Sequence, residues 1–151
     1  MIEQRLQELG WTLPPPQTPV ANYVRAVRTG NLLFLAGHLP VRDGQVVYRG
    51  KVGRDMDVET GYQAAQLVML NCLATLKDEL GDLDRVKRIV KVLGMVNSDA
   101  EFTDQPKVIN GASDLLIARY GERGRHARSA VGMSGLPMGV AVEIEMIVEI
   151  E

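Results

Sequence analysis

Cysteine is nearly absent: the chain of 151 residues has one, Cys72, so no intramolecular disulfide framework can hold it together. The only other soft metal ligands are His38 and His126, both far from Cys72 in sequence. No spacing here suits a metal centre, and none is expected. Positive charge is not in excess either. Seventeen Lys plus Arg stand against nineteen Asp plus Glu, a net charge of -2, so no global field draws in a polyanion and nucleic acid is not the expected partner. No apolar run approaches the roughly 20 residues that cross a bilayer, the densest being interrupted by Gln66 and Asn71. The N-terminus Met1-Ile2-Glu3-Gln4-Arg5 lacks the apolar core of a signal peptide. A cytosolic protein without membrane contact is the expectation. Phosphate-loop and dinucleotide fingerprints are missing too, since Gly121-Glu122-Arg123-Gly124-Arg125 follows a helical pattern instead of opening one. No cofactor is expected. Nothing local pairs a Ser or Cys nucleophile with a base; Cys72 reads as a small core residue, and no chemical role is assigned to His38 or His126, although His38 adjoins Gly37.

What is present reads as a globular chain. Hydrophobic residues make up 46% and charged residues 24%, well away from the signature of disorder. Residues 1–20 are expected to form a short helix, with Ile2, Leu6 and Leu9 on one side, and a stiff linker set by Pro14, Pro15, Pro16 and Pro19. Residues 21–151 are expected to form a single domain. Tyr23 to Val27 and Leu32 to Ala36 flank the turn Thr29-Gly30-Asn31 as a hairpin, with a third short strand at Gln45 to Tyr48. A helix over 57–80 begins at the capping residue Asp57 and ends at Gly81, and its apolar positions leave little solvent face. A buried strand over Arg88 to Val96 precedes a second helix from about Pro106 to Tyr120. Two strands close the chain, Ala127 to Met133 and Val140 to Ile150. In the last, Val140, Val142, Ile144, Met146, Val148 and Ile150 share one face. Glu143, Glu145, Glu149 and Glu151 share the other with Ala141 and Ile147.

This order predicts an α+β fold with helices packed on one side of a mixed sheet. The opposite side carries Leu33, Leu35, Ala141 and Ile147 among the charges, so self-association through that face is expected, with clefts between the copies where polar residues could meet a ligand.

The segment Arg128-Ser129-Ala130-Val131-Gly132-Met133-Ser134-Gly135-Leu136-Pro137, followed by Val142-Glu143-Ile144-Glu145, resembles the C-terminal signature of the Rid (YjgF-like, L-PSP) family of reactive imine and enamine deaminases. In that family an Arg followed by Ser or Thr precedes an alternating strand, a Leu-Pro turn and a strand with Val/Ile-Glu-Ile/Val-Glu. Asn22-Tyr23-Val24, the stretch from Gly30 to Pro40 and Asn110 on the second helix extend the match over nearly the whole chain from about Ala21. The resemblance implies a chorismate-mutase-like fold, a homotrimer, and three equivalent sites between subunits. There, imines and enamines of the 2-aminoacrylate type are hydrolysed to 2-keto acids and ammonia.

By the same resemblance Arg128 holds the substrate carboxylate, Glu143 is the acidic site residue, Tyr23 and Asn110 line the pocket, and Gly37 lines it through its backbone. The residue types suit that chemistry. A guanidinium offers a planar fork to a carboxylate, and a carboxyl with a raised pKa can move protons between water and the departing amine. Ala130 departs from the pattern, standing where relatives often carry Cys. The first twenty residues and the 121–125 loop also exceed the family's minimal form. A non-catalytic trimer that senses a small carboxylate-bearing metabolite is the second expectation. A ribonuclease is the third, disfavoured by the acidic balance and the lack of a His pair for acid/base cleavage.

Overall fold

The computed structural model describes residues 1–19 and 21–151. Helix α1 (Ile2–Glu8) buries Ile2 and Leu6 in the main core. Strands β1 (Ala26–Thr29) and β2 (Leu32–Leu35) form a hairpin, and β3 (Val41–Arg42) with β4 (Gln45–Val46) form a second, separate one. Helix α2 (Val58–Leu80), strand β5 (Val86–Asn97), helix α3 (Gln105–Tyr120), strand β6 (Ala127–Met133) and strand β7 (Val142–Ile150) follow. The five-stranded sheet runs β1-β2-β7-β5-β6. Only β5 and β6 are parallel, and α3 supplies the crossover that a parallel pair requires.

Local chemistry sets the boundaries. Asp57 accepts the Thr60 N–H at 2.9 Å to start α2, and Gly81, at φ 81°, ends it with its N–H on the Lys77 carbonyl. Two expectations shift. Tyr23 lies outside β1, because its N–H turns back onto the Ala21 carbonyl at 2.9 Å and leaves the ladder. The strand at Gln45 stops at Val46 and pairs with β3 instead of joining the main sheet; Asp43 (φ 53°) and Gly44 (φ 75°) make a tight hairpin turn, and Tyr48 is left-handed at φ 55°.

The register decides which side chains face the helices. Val142, Ile144, Met146, Val148 and Ile150 of β7 are buried beneath them, while Glu143, Glu145, Ile147 and Glu149 face away. Leu33 pairs with Val148, so Leu33 and Leu35 belong to the core and not to the open face, which instead receives Leu32 and Phe34. Ala141 is also fully buried, because it precedes β7 at the close of a short helical turn. Phe34, Val131 and Met133 remain exposed. Among the described residues no helix is long and apolar enough to cross a membrane.

Two glycines let α3 sit tightly. A Cβ at Gly94 of β5 would come within 2.6 Å of Ile109, and one at Gly111 would come within 2.1 Å of the Tyr62 carbonyl oxygen on α2. Helix α3 is thereby clamped between strand and helix, and its outward face is fixed.

His38 is a buried polar group whose hydrogen bonds assign its tautomer. Its Nδ1 lies 2.7 Å from the Ala36 carbonyl, which can only accept, so Nδ1 carries the hydrogen and Thr75 donates to Nε2 at 2.7 Å. Burial pushes the ring's pKa down; the Ala36 carbonyl opposes that, and Arg25 adds to it. The unfolded chain, with an ordinary His near 6.5, therefore binds a proton that the fold refuses. Stability should fall as pH drops below about 6.5 toward the folded-state pKa. Denaturant midpoints measured from pH 7 to 5 should decline less steeply in His38→Gln than in the parent.

Candidate functional site

Arg128 pairs with Val92 across β5 and β6, and Val92 is core, so the guanidinium is directed to the helix side of the edge strand. There it meets α3. Nη1 donates to Asn110 Oδ1 at 2.9 Å and to Ser113 Oγ at 3.1 Å, and Nη2 makes a longer contact of 3.4 Å with the Pro106 carbonyl. All three acceptors are neutral, and among the described residues no carboxylate forms an ion pair with it. Both Nη1 hydrogens are thus committed, while Nε and Nη2 keep donor capacity for an anionic group.

Arg128 borders a cleft of about 270 Å³ together with Asn110, Ser113, Asp114, Ile117, Arg125 and His126. Arg125 pairs with Glu122 at 3.6 Å, and Asp114 accepts the Tyr62 hydroxyl at 2.7 Å. Larger depressions exist elsewhere, but size does not identify the site. In one of about 570 Å³ the Lys51 ammonium is already taken by Asn97 Oδ1 and the Ser134 carbonyl, both at 2.7 Å. Ala130, two residues beyond Arg128, packs partly buried against the core and offers no thiol.

Sequence reasoning passed over Ser113 and gave His126 no chemistry, yet the fold joins them across 13 residues, Ser113 Oγ lying 2.9 Å from His126 Nε2. The readable signal was the i, i+3 spacing of Asn110 and Ser113, which puts both on one face of α3. His126 Nδ1 lies 2.6 Å from the Gly124 carbonyl. Burial lowers the ring's pKa, the Gly124 carbonyl opposes that, and Arg128 lowers it further.

Glu143 lies elsewhere. It pairs with Met95, which pairs with Val131, and this row occupies the open face of the sheet. Arg128 and Glu143 of one chain are therefore on opposite faces. Burial pushes the Glu143 carboxyl's pKa up, and neighbouring Glu145 adds to the rise. Gly37 is pressed against it: a Cβ there would stand 2.0 Å from Glu143 Oε2. Tyr23, 48% exposed, shares a narrow crevice with Gly37, Gln17, Thr18, Arg25 and His38. So the fold unites Arg128 with Asn110, and Glu143 with Gly37 beside Tyr23, as two separate groups. Gly37→Ala tests the second. The obstructing atoms end a flexible side chain, so melting should change by no more than about 2–4 °C, the equivalent of ~1 kcal/mol, while the Glu143 carboxylate is displaced from its place beside residue 37.

Among the described residues no group of three or more His, Cys, Asp or Glu side chains is placed to hold a metal ion.

Residues 3–150 match the protein family described as "YjgF/chorismate mutase-like, putative endoribonuclease". Protein TCP17 of Trypanosoma cruzi is 44% identical over 150 residues, covering 99% of this chain and 94% of its own. The crystal structure of Atu1372 from Agrobacterium tumefaciens superposes with a TM-score of 0.94 at 50% identity, over 99% of this chain and 92% of that one. RidA from a Psychrobacter species superposes at 0.63 with 27% identity, over 92% and 96%. The chain is thus much nearer in shape to Atu1372 than to that RidA.

Proposed function

The chain belongs to the YjgF/chorismate mutase-like family, and from that premise we propose that it hydrolyses carboxylate-bearing imines and enamines of the 2-aminoacrylate type. The products are the 2-keto acid and ammonia, and the sites lie in clefts between the copies of a homotrimer. The observation that carries the reading is the Arg128 guanidinium, held by neutral acceptors at the border of an open cleft. Such a cation is positioned without being neutralised, so its charge is available to an anionic substrate.

Assembly supplies the rest. Arg128 lies at the sheet edge and Glu143 on the open face, so one copy contributes Arg128 and Asn110 while its neighbour contributes Glu143, Gly37 and Tyr23. Phe34, Val131 and Met133 on that open face favour burial against another copy. Glu143, its carboxyl made less acidic by burial, holds the water across the imine carbon.

The test generates imines with an amino-acid oxidase in semicarbazide and follows semicarbazone formation. Suppression by catalytic amounts of the protein is the expected result. Binding of the keto acid without suppression for any imine would overturn the reading in favour of a sensor. Cleavage of RNA by rigorously purified protein, lost in Arg128→Ala and unaccompanied by suppression, would overturn it in favour of a ribonuclease.

A further inference from the structure

His126 borders the Arg128 cleft and is joined to Arg128 through Ser113, and nothing in the reading above uses it. The chain of hydrogen bonds has a definite direction. The Gly124 carbonyl can only accept, so His126 Nδ1 carries the ring hydrogen and Nε2 is left as an acceptor. Ser113 O–H then donates to Nε2 at 2.9 Å, while Ser113 Oγ accepts from Arg128 Nη1 at 3.1 Å. The anchor of this chain is rigid: Gly124 is buried, and a Cβ there would meet the Leu116 carbonyl oxygen at 2.3 Å. Its carbonyl accepts from Nδ1 and so orients the ring, as an orienting acid would in a Ser–His pair.

We infer that Ser113 and His126 form a proton relay for the hydrolysis proposed above: Ser113 touches the reacting centre, and His126 takes and returns the proton through it. The inference rests on that reading of the function. In the first step water attacks the iminium carbon, an O–C bond forms and the C=N π pair moves to nitrogen. The attacking water's proton passes to Ser113 Oγ as the hydroxyl proton passes to His126 Nε2, giving a neutral carbinolamine and an imidazolium. In the second step the proton returns through Ser113 to the amine nitrogen. The C–N bond breaks, the oxygen lone pair forms C=O, and ammonia leaves with the proton from the carbonyl oxygen as ammonium.

Charge in the cleft supports the cycle. Arg128 on β6 and Arg125 on the preceding turn oppose a second cation at His126 in the empty cleft, while Asp114 on α3 and Glu122, paired with Arg125, partly offset them. A substrate carboxylate on Arg128 neutralises the nearest positive charge, so imidazolium becomes affordable when substrate is bound.

The experiment uses the full chain with Ser113→Ala and His126→Asn, measuring kcat and KM in the imine-suppression assay from pH 5 to 9. A parallel NMR titration of the two histidine rings with and without pyruvate has buried His38 as internal reference. The expected result is a fall in kcat of about 10²–10⁴-fold in both variants, with KM within about threefold in His126→Asn, which leaves the Ser113 contact to Arg128 in place. The acid limb of the wild-type kcat profile should vanish in His126→Asn, and pyruvate should raise the pKa of His126 but not that of His38. Variants that turn over at the wild-type rate, or that lose affinity alone while keeping the acid limb, would overturn the relay and leave the hydrolase reading intact. A wild-type protein that suppresses no imine would instead overturn the hydrolase reading itself.

Discussion

Arg128→Ala is expected to lower kcat/KM for a carboxylate-bearing imine by about 10²–10⁴-fold. Two charge-assisted hydrogen bonds to the carboxylate, each worth roughly 1.5–3 kcal/mol, set that scale. Arg128→Lys should lose less, about 10- to 100-fold, because an ammonium keeps the charge but cannot present two parallel N–H groups. An imine without a carboxylate discriminates the cause. It gains nothing from the fork, so its slow hydrolysis should be nearly the same in wild type and Arg128→Ala. Equal losses for both substrates would assign Arg128 a structural part instead, through Asn110 and Ser113.

Gly111→Ala is expected to be the most damaging single methyl in the fold. The new Cβ would be 2.1 Å from the Tyr62 carbonyl oxygen, and that atom belongs to a helix backbone that cannot swing away. Overpacking of this kind costs about 1–3 kcal/mol and occasionally more. For a chain of this length that corresponds to a fall in melting temperature of roughly 6–12 °C at the upper end. The same displacement moves Asn110 and Ser113, which flank the substituted turn of α3, so carboxylate affinity should fall at temperatures where the protein is still folded. A thermal melt and a pyruvate titration at 20 °C check both. The Gly37→Ala protein is the useful contrast, with its fold kept and its carboxylate displaced.

Periodicity made much of the fold legible. The alternation of Val142, Ile144, Met146, Val148 and Ile150 reports a half-buried strand because one sheet face is core, and Asp57 and Gly81 mark α2 because their side-chain and backbone chemistry acts locally. The placement of Leu33 and Leu35 was not readable in the same way. In a run such as Leu32-Leu33-Phe34-Leu35 every position is apolar, so alternation cannot say which face is inside, and only pairing of Leu33 with Val148 decides it. Tyr48 leaves its strand through a left-handed backbone that no residue-type preference announces.

The candidate site shows the same division. Arg128, Asn110, Glu143, Tyr23 and Gly37 were found by resemblance, which carries residue identities but no geometry. That Arg128 and Glu143 face opposite sides of the sheet follows from the registers of β6 on β5 and β5 on β7, which depend on long-range pairing. Ser113 and His126 were missed because a Ser on a helix and a His after a turn are unremarkable until the 121–124 turn brings the ring back over α3.

The most direct measurement is a crystal structure of the protein grown with 2-oxobutyrate. It should show the acid's carboxylate on the Arg128 guanidinium within the Asn110–Ser113 cleft, with Glu143 of a neighbouring copy across the keto carbon. A ligand seated away from Arg128, or an Arg128 edge closed off by another copy of the chain with no room for the acid, would contradict the account.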